Sequence, residues 1–195
     1  MVHLPWLSCA QGWKPLARFP AARKSLKAAS RPRRSGSSRL PEAPQLGERG
    51  GGWVVLQFAL MAAILGAGVL GPGWPGGWLL VVLGILVALV GAAVAISAGR
   101  AHRGSLTPFP RPNPQATLVE SGPYRVVRHP IYSGGTLVFG GISLALSPAA
   151  LAITVVLVIV WALKAQVEER FLRAASLAYD AYCCRTRYRL IPFVY

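Results

Sequence analysis

Residues 51–99 read GGWVVLQFALMAAILGAGVLGPGWPGGWLLVVLGILVALVGAAVAISAG and contain no Lys, Arg, Asp or Glu. Residues 53–71 hold one polar side chain, Gln57, and residues 77–98 hold 12 Leu, Ile or Val. Each run is long enough to cross a bilayer as a helix, which takes about 20 apolar residues. The intervening residues 71–77 (GPGWPGG) predict a tight turn. The stretch therefore predicts two membrane-spanning helices.

The composition of the whole chain agrees with a membrane protein. Of the 195 residues, 53% are hydrophobic and 14% are charged, and the mean hydropathy is +0.45. Soluble domains carry about a quarter charged residues, so soluble and disordered classes are both disfavoured. The net charge of +15 is divided between residues 1–50 and 100–195 rather than spread along one face. We therefore predict no nucleic-acid partner, and the absence of a Cys-x-x-Cys pair predicts no metal site.

The first 50 residues differ from the rest of the chain. They hold 10 Lys or Arg, 2 Glu and an Arg-, Ser- and Pro-rich stretch, residues 30–39 (SRPRRSGSSR). Because they lack a sustained apolar run, we predict a disordered basic tail over 1–50 and a membrane-embedded domain over 51–195. A transit peptide, or a start codon assigned too far upstream, would look the same.

Two further apolar runs, residues 131–147 and 149–163, are separated by Ser147-Pro148. They are short for full crossings, so we predict a short helical hairpin. From residue 163 onward, apolar and charged residues alternate at helical spacing, which predicts an amphipathic helix. The predicted fold is an all-α membrane protein of about four transmembrane helices, the last two a short hairpin, plus this C-terminal helix.

The distribution of charge predicts the topology. The tail, residues 100–130 and the segment after Lys164 are basic, whereas the turns at 71–77 and 147–148 carry no charge. The positive-inside rule places the basic segments in the cytoplasm. We predict a multi-pass protein with both termini cytoplasmic. The 17 Arg against 4 Lys favour a GC-rich bacterium and hence its inner membrane.

Three polar clusters fall on the predicted cytoplasmic side: residues 122–132 (GPYRVVRHPIY), Glu168-Glu169, and the Arg- and Tyr-rich residues 182–192. Taken singly, each has a plain structural explanation as topology-setting charges, interfacial aromatics or a solvated helix face. Together on one side of the membrane, they favour a site, because acidic groups at a membrane boundary are costly.

The ordered combination of Gly-x-Tyr-x-x-x-Arg-His-Pro-x-Tyr, a short hairpin, Glu-Glu and a terminal Arg-x-x-Pro resembles the superfamily of isoprenylcysteine carboxyl methyltransferases and phospholipid methyltransferases. The resemblance covers residues 117–192. It implies an integral-membrane methyltransferase that uses S-adenosylmethionine (S-adenosyl-L-methionine). The acceptor would be a lipid or a lipid-modified group, either an isoprenylcysteine-like carboxylate or a phospholipid amine.

The resemblance also implies site residues. The expected cofactor-binding residues are Thr117, Leu118, Val119, Tyr124, His129, Pro130, Ile131, Tyr132, Glu168 and Glu169. Lys164 is the expected substrate-binding residue, although carboxyl methyltransferases have Arg at this position. Ala116 stands where the superfamily often has His. We predict Glu168 and Arg189 as catalytic, with a glutamate serving as the base if the acceptor is a protonated amine.

Two alternatives remain open. An NADPH-dependent membrane reductase of the sterol-reductase type resembles the same Arg-His-Pro-x-Tyr region, although such enzymes have more spans. A non-catalytic membrane scaffold could keep the same helices without binding any ligand. Cofactor binding distinguishes these classes.

Overall fold

The computed structural model describes residues 50–75, 77–102, 107–110 and 118–192. The predicted basic tail lies outside these residues except for Gly50. The helices are α1 Gly51–Leu70, α2 Trp78–Ala101, a 3₁₀ turn Gly122–Arg125, α3 Pro130–Leu146, α4 Pro148–Ala175 and α5 Leu177–Arg185. No β-strand occurs in the described part of the chain.

Within the described ranges, α1, α2 and α4 are long and apolar enough to cross a membrane, and α3 is a shorter apolar helix of 17 residues. The protein is therefore an all-α integral membrane protein, as predicted. The hairpin of α3 and α4 is asymmetric rather than short in both arms. The 28 residues of α4 include the polar residues that follow its apolar run, because these continue the same helix.

Helix α3 packs against α2 through backbone contact at glycines. A side chain on Gly134 would lie 2.7 Å from the backbone of Gly91 and Ala95, and one on Gly141 would collide with Gly84. On its other flank, α3 uses Gly135 to admit the ring of Trp161 from α4. Small residues let apolar helices approach closely where no hydrophobic force drives them together in lipid.

The two uncharged turns lie together at one end of the bundle. Ser147 Oγ donates to the Ala67 carbonyl at 3.0 Å, and Trp74 Nε1 donates to the Ser143 carbonyl at 3.3 Å. Ser147 also caps α4 by accepting from the Ala150 N–H at 3.1 Å. Among the described residues, the charged groups around Arg128, Glu169 and Arg189 lie at the opposite end of the bundle, which agrees with the predicted separation of charge, although the cellular side of each end stays a prediction.

The amphipathic segment forms two helices rather than one. Ser176 is extended, with φ of −154°, and its hydroxyl accepts from the Ala178 N–H at 3.2 Å. This cap begins α5, because serine satisfies an N–H group that the first helical turn leaves unbonded. The break turns the C-terminal segment back toward the start of α3.

Candidate active site

The C-terminal segment pairs with the residues that precede α3. Val127 and Tyr188 form an isolated parallel bridge. The Arg128 N–H donates to the Tyr188 carbonyl, and the His129 N–H donates to the Arg189 carbonyl, each at 2.9 Å. These bonds bring the first and third polar clusters of the sequence together.

Glu168 joins the second cluster to this pair. The Tyr132 hydroxyl donates to Glu168 Oε1 at 2.5 Å, and His129 Nδ1 lies 3.5 Å from Glu168 Oε2. The Glu168 side chain is 17% exposed to solvent. Two predicted site residues, His129 and Tyr132, therefore converge on the carboxylate of a third, Glu168, which lies up to 39 positions away in the sequence.

Glu169 has a different environment from its neighbour. Arg128 Nε donates to Oε1 at 2.8 Å, and Arg189 Nε donates to Oε2 at 3.1 Å. His129 Nε2 lies 3.4 Å from Oε1, and the Glu169 side chain is only 3% exposed. Arg128 also donates to the carbonyls of Thr186 and Arg187, both at 2.9 Å. The Glu169 carboxylate thus fastens the C-terminal segment to α4.

Aromatic rings continue from the carboxylates into the bundle. His129 and Tyr132 stack with their centroids 5.7 Å apart, and Tyr132 stacks on Trp161 at the same separation. Lys164 Nζ lies 5.4 Å from the centroid of the Tyr132 ring. The Tyr132 ring therefore packs against the rings of His129 and Trp161 and against the Lys164 ammonium, whose distance from the ring favours cation–π attraction.

Tyr124 anchors the 3₁₀ turn to α2 and α5. Its hydroxyl lies 2.6 Å from His102 Nε2, and its carbonyl accepts from the Tyr182 hydroxyl at 2.7 Å and from Thr186 Oγ1 at 3.3 Å. Burial raises the pKa of Tyr124, and nearby Tyr182 and Glu168 raise it further. Burial likewise raises the pKa of Tyr182 to about 12 and lowers the pKa of His102. These groups are uncharged hydrogen-bonding partners at neutral pH.

The remaining predicted residues divide into several groups. Thr117 lies outside the described residues, and Leu118 and Val119 are in the non-helical stretch before the 3₁₀ turn. Pro130 and Ile131 form the first turn of α3.

Lys164, one turn before Glu168, is fully buried. Its Nζ donates to Gln57 Oε1 and to the Pro108 carbonyl, each at 2.7 Å. The predicted substrate-binding lysine is therefore bonded to two other segments of the protein.

Two cavities lie between the 3₁₀ turn and the C-terminal segment. One, of 500 Å³, is lined by Glu120, Ser121, Arg125, Tyr182, Arg185 and Thr186. The other, of 320 Å³, shares Arg125, Arg185 and Thr186. Arg185 is paired with Glu120 at 2.5 Å. Neither cavity is lined by His129, Tyr132 or Glu168. In this structure these three side chains contact one another instead.

Sequence reasoning missed the specific roles of three residues at this site. Arg128 was predicted only as part of the first cluster, and Trp161 only as part of an apolar run. Gln57 was visible as the one polar side chain in an apolar run, which is a signal for a buried partner. Nothing in the sequence identified Lys164 as that partner.

Comparison with known proteins bears on this arrangement. The phospholipid methyltransferase family matches residues 77–175, from the turn before α2 to the end of α4. No match is found among curated proteins. The matched segment is half of the chain, and it contains His129, Tyr132 and both adjacent glutamates. The chain therefore belongs to the phospholipid methyltransferase family.

Proposed function

We propose that the protein transfers a methyl group from S-adenosylmethionine to a lipid or lipid-modified acceptor. The observation that carries the proposal is the convergence of His129 and Tyr132 on Glu168, at the polar end of the bundle. A partly exposed carboxylate held by a tyrosine hydroxyl, without an arginine bonded to it among the described residues, remains able to receive a cationic ligand.

The chemistry of these side chains fits the cofactor. When bound, S-adenosylmethionine supplies a methyl group on a sulfonium, beside an ammonium, a carboxylate and an adenosine. Glu168 receives the ammonium or the ribose hydroxyls, and the ring of Tyr124 attracts the sulfonium. Tyr132, whose ring packs against His129, Trp161 and Lys164, contributes by holding Glu168 through its hydroxyl. His129 or Arg125 holds the carboxylate. Arg125 has no hydrogen bond or ion pair among the described residues, and it lines both cavities.

Other residues complete the proposed cofactor site: Thr117, Leu118, Val119, Pro130, Ile131 and Glu169. Of the two glutamates, Glu168 has the freer carboxylate. Glu169, bound by Arg128 and Arg189, contributes by holding the C-terminal segment beside the cofactor. Arg189, which donates to the Glu169 carboxylate, acts at the site through this bond.

The acceptor is either an isoprenylcysteine-like carboxylate or a phospholipid amine. A carboxylate attacks the methyl group without a base, so alignment is the main requirement. A protonated amine first loses its proton, and Glu168 takes it at a carboxylate oxygen. Lys164 donates two of its three N–H groups to Gln57 and Pro108, and the third is the donor it offers to the acceptor.

We place the site at the cytoplasmic face of a bacterial inner membrane, with both termini inside. Among the described residues, the charged groups around Glu169 gather at one end of the bundle and the uncharged turns lie at the other. Excess Lys and Arg on cytoplasmic segments is the general rule for membrane proteins. The cofactor enters from water at this end, and the lipid enters sideways between helices.

Calorimetric binding in detergent tests the proposal. The purified protein is expected to bind S-adenosylmethionine and not NADPH. Glu168→Gln should weaken binding by about 2–5 kcal/mol, the usual effect of losing one buried charged partner. The matched control is Asp180→Asn on α5, whose carboxylate is 57% exposed. Binding of NADPH alone would favour the reductase, and binding of neither ligand would favour the scaffold.

A further inference from the structure

Helix α1 contributes one buried polar side chain to the bundle, Gln57, which is 6% exposed. Its Oε1 accepts from Lys164 Nζ at 2.7 Å, and the Pro108 carbonyl accepts from the same ammonium at 2.7 Å. A buried ammonium requires such acceptors, because desolvation without them is costly. Helix α1 lies before residues 77–175, the part that the family matches.

The bond between Gln57 and Lys164 leads to the carboxylate cluster. Lys164 Nζ lies 5.4 Å from the centroid of the Tyr132 ring. The hydroxyl of the same ring donates to Glu168 Oε1 at 2.5 Å. Gln57 is therefore connected to Glu168 through the ammonium of Lys164 and the ring of Tyr132.

We propose that Gln57 is a positioning residue for the methyl-transfer site. Its amide oxygen holds the Lys164 ammonium against the face of Tyr132, and this fixes the Tyr132 hydroxyl on Glu168. A polar pair that merely joins α1 to α4 would serve equally well at any depth in the membrane. This pair lies one helical turn before Glu168, where a shift of the ammonium moves the ring that bonds the carboxylate.

The effect on cofactor affinity rests on the proposed function, whereas the coupling to Tyr132 does not. A double-mutant cycle therefore combines Gln57→Leu with Tyr132→Phe and follows thermal unfolding in detergent. No hydrogen bond, ion pair or ring contact joins Gln57 to Tyr132 in the structure, so independent roles predict additive shifts of the unfolding midpoint. Positioning predicts that Tyr132→Phe costs less than half as much in the Gln57→Leu background. Additive shifts would overturn the proposal.

Affinity for S-adenosylmethionine provides the second readout. Gln57→Leu should raise the dissociation constant about tenfold, the scale of one hydrogen bond to a charged group. Gln57→Glu keeps an acceptor of the same length and should restore affinity to within about threefold of wild type. The matched control is Thr154→Val in α4, which loses a buried 2.7 Å hydrogen bond to Ser143. It should lower the unfolding midpoint and leave affinity unchanged.

The outcomes separate the two proposals. If Gln57→Leu lowers the midpoint as Thr154→Val does but binds with wild-type affinity, Gln57 only joins helices and the positioning role is wrong. If the wild type binds no S-adenosylmethionine, the proposed function fails, and a non-additive cycle still supports the coupling of Gln57 to Tyr132.

Discussion

Changing each of the two adjacent glutamates to glutamine is expected to affect different properties of the protein. Glu169 is 3% exposed, and its carboxylate lies 2.8 Å from the Arg128 guanidinium, 3.1 Å from that of Arg189 and 3.8 Å from that of Arg173. Glu168 is 17% exposed, and its carboxylate contacts the Tyr132 hydroxyl at 2.5 Å and the His129 ring at 3.5 Å. Glu169→Gln should therefore mainly reduce stability, and Glu168→Gln should mainly reduce cofactor binding.

The expected magnitudes follow from these contacts. Breaking a buried ion pair costs about 3–5 kcal/mol, because the remaining charge stays buried. For a domain of this size, the loss corresponds to a fall of about 6–20 °C in the unfolding midpoint. Glutamine in place of Glu168 keeps an oxygen that accepts from the Tyr132 hydroxyl, so the cost should be about 1 kcal/mol.

Thermal unfolding of both variants in one detergent, followed by circular dichroism, measures the difference. Asp180→Asn is the surface control, and its midpoint should stay near that of the wild type. Equal midpoints for the two glutamate variants, or a larger fall for Glu168→Gln, would refute the reasoning. That result would mean that the arginines do not depend on Glu169 to hold the C-terminal segment in place.

Three further predictions concern packing, topology and pH. Gly134→Val should abolish folding, because a Cβ at this position would lie 2.7 Å from the backbone of α2. Gly140→Ala is the control and should be tolerated, because a Cβ there meets nothing within 4 Å. The yield of monodisperse protein measures the difference, and equal yields of the two variants would contradict the packing. In a cysteine-free background, an impermeant thiol reagent applied outside cells should label Gly73→Cys and spare Ser121→Cys; the reverse pattern would invert the topology. Burial lowers the pKa of His102 below 6.5, so the unfolded chain binds the proton more readily and stability should decrease as the pH falls below about 6.5. His102→Gln should flatten that pH dependence of the unfolding midpoint, and an unchanged slope would exclude His102 as its source.

The sequence alone determined the class of protein, the two long spans and the separation of charged and uncharged ends. These features follow from transfer free energies, which act residue by residue and sum along a local stretch. The candidate site residues came from the resemblance and stay predictions. The turn back at Ser147 brings His129 and Glu168 to the same end of the bundle, as the hairpin predicted.

Only the tertiary structure decided which polar groups are partners. Arg128 and Glu169 are 41 residues apart, and Gln57 and Lys164 are 107 apart. Neither pair has a spacing that a helix or strand period would reveal. A hydrogen bond requires its atoms to meet within a few tenths of an ångström, and that placement depends on how separate segments pack. The different roles expected for Glu168 and Glu169 arise from this packing, because the two residues are chemically identical and adjacent in the chain.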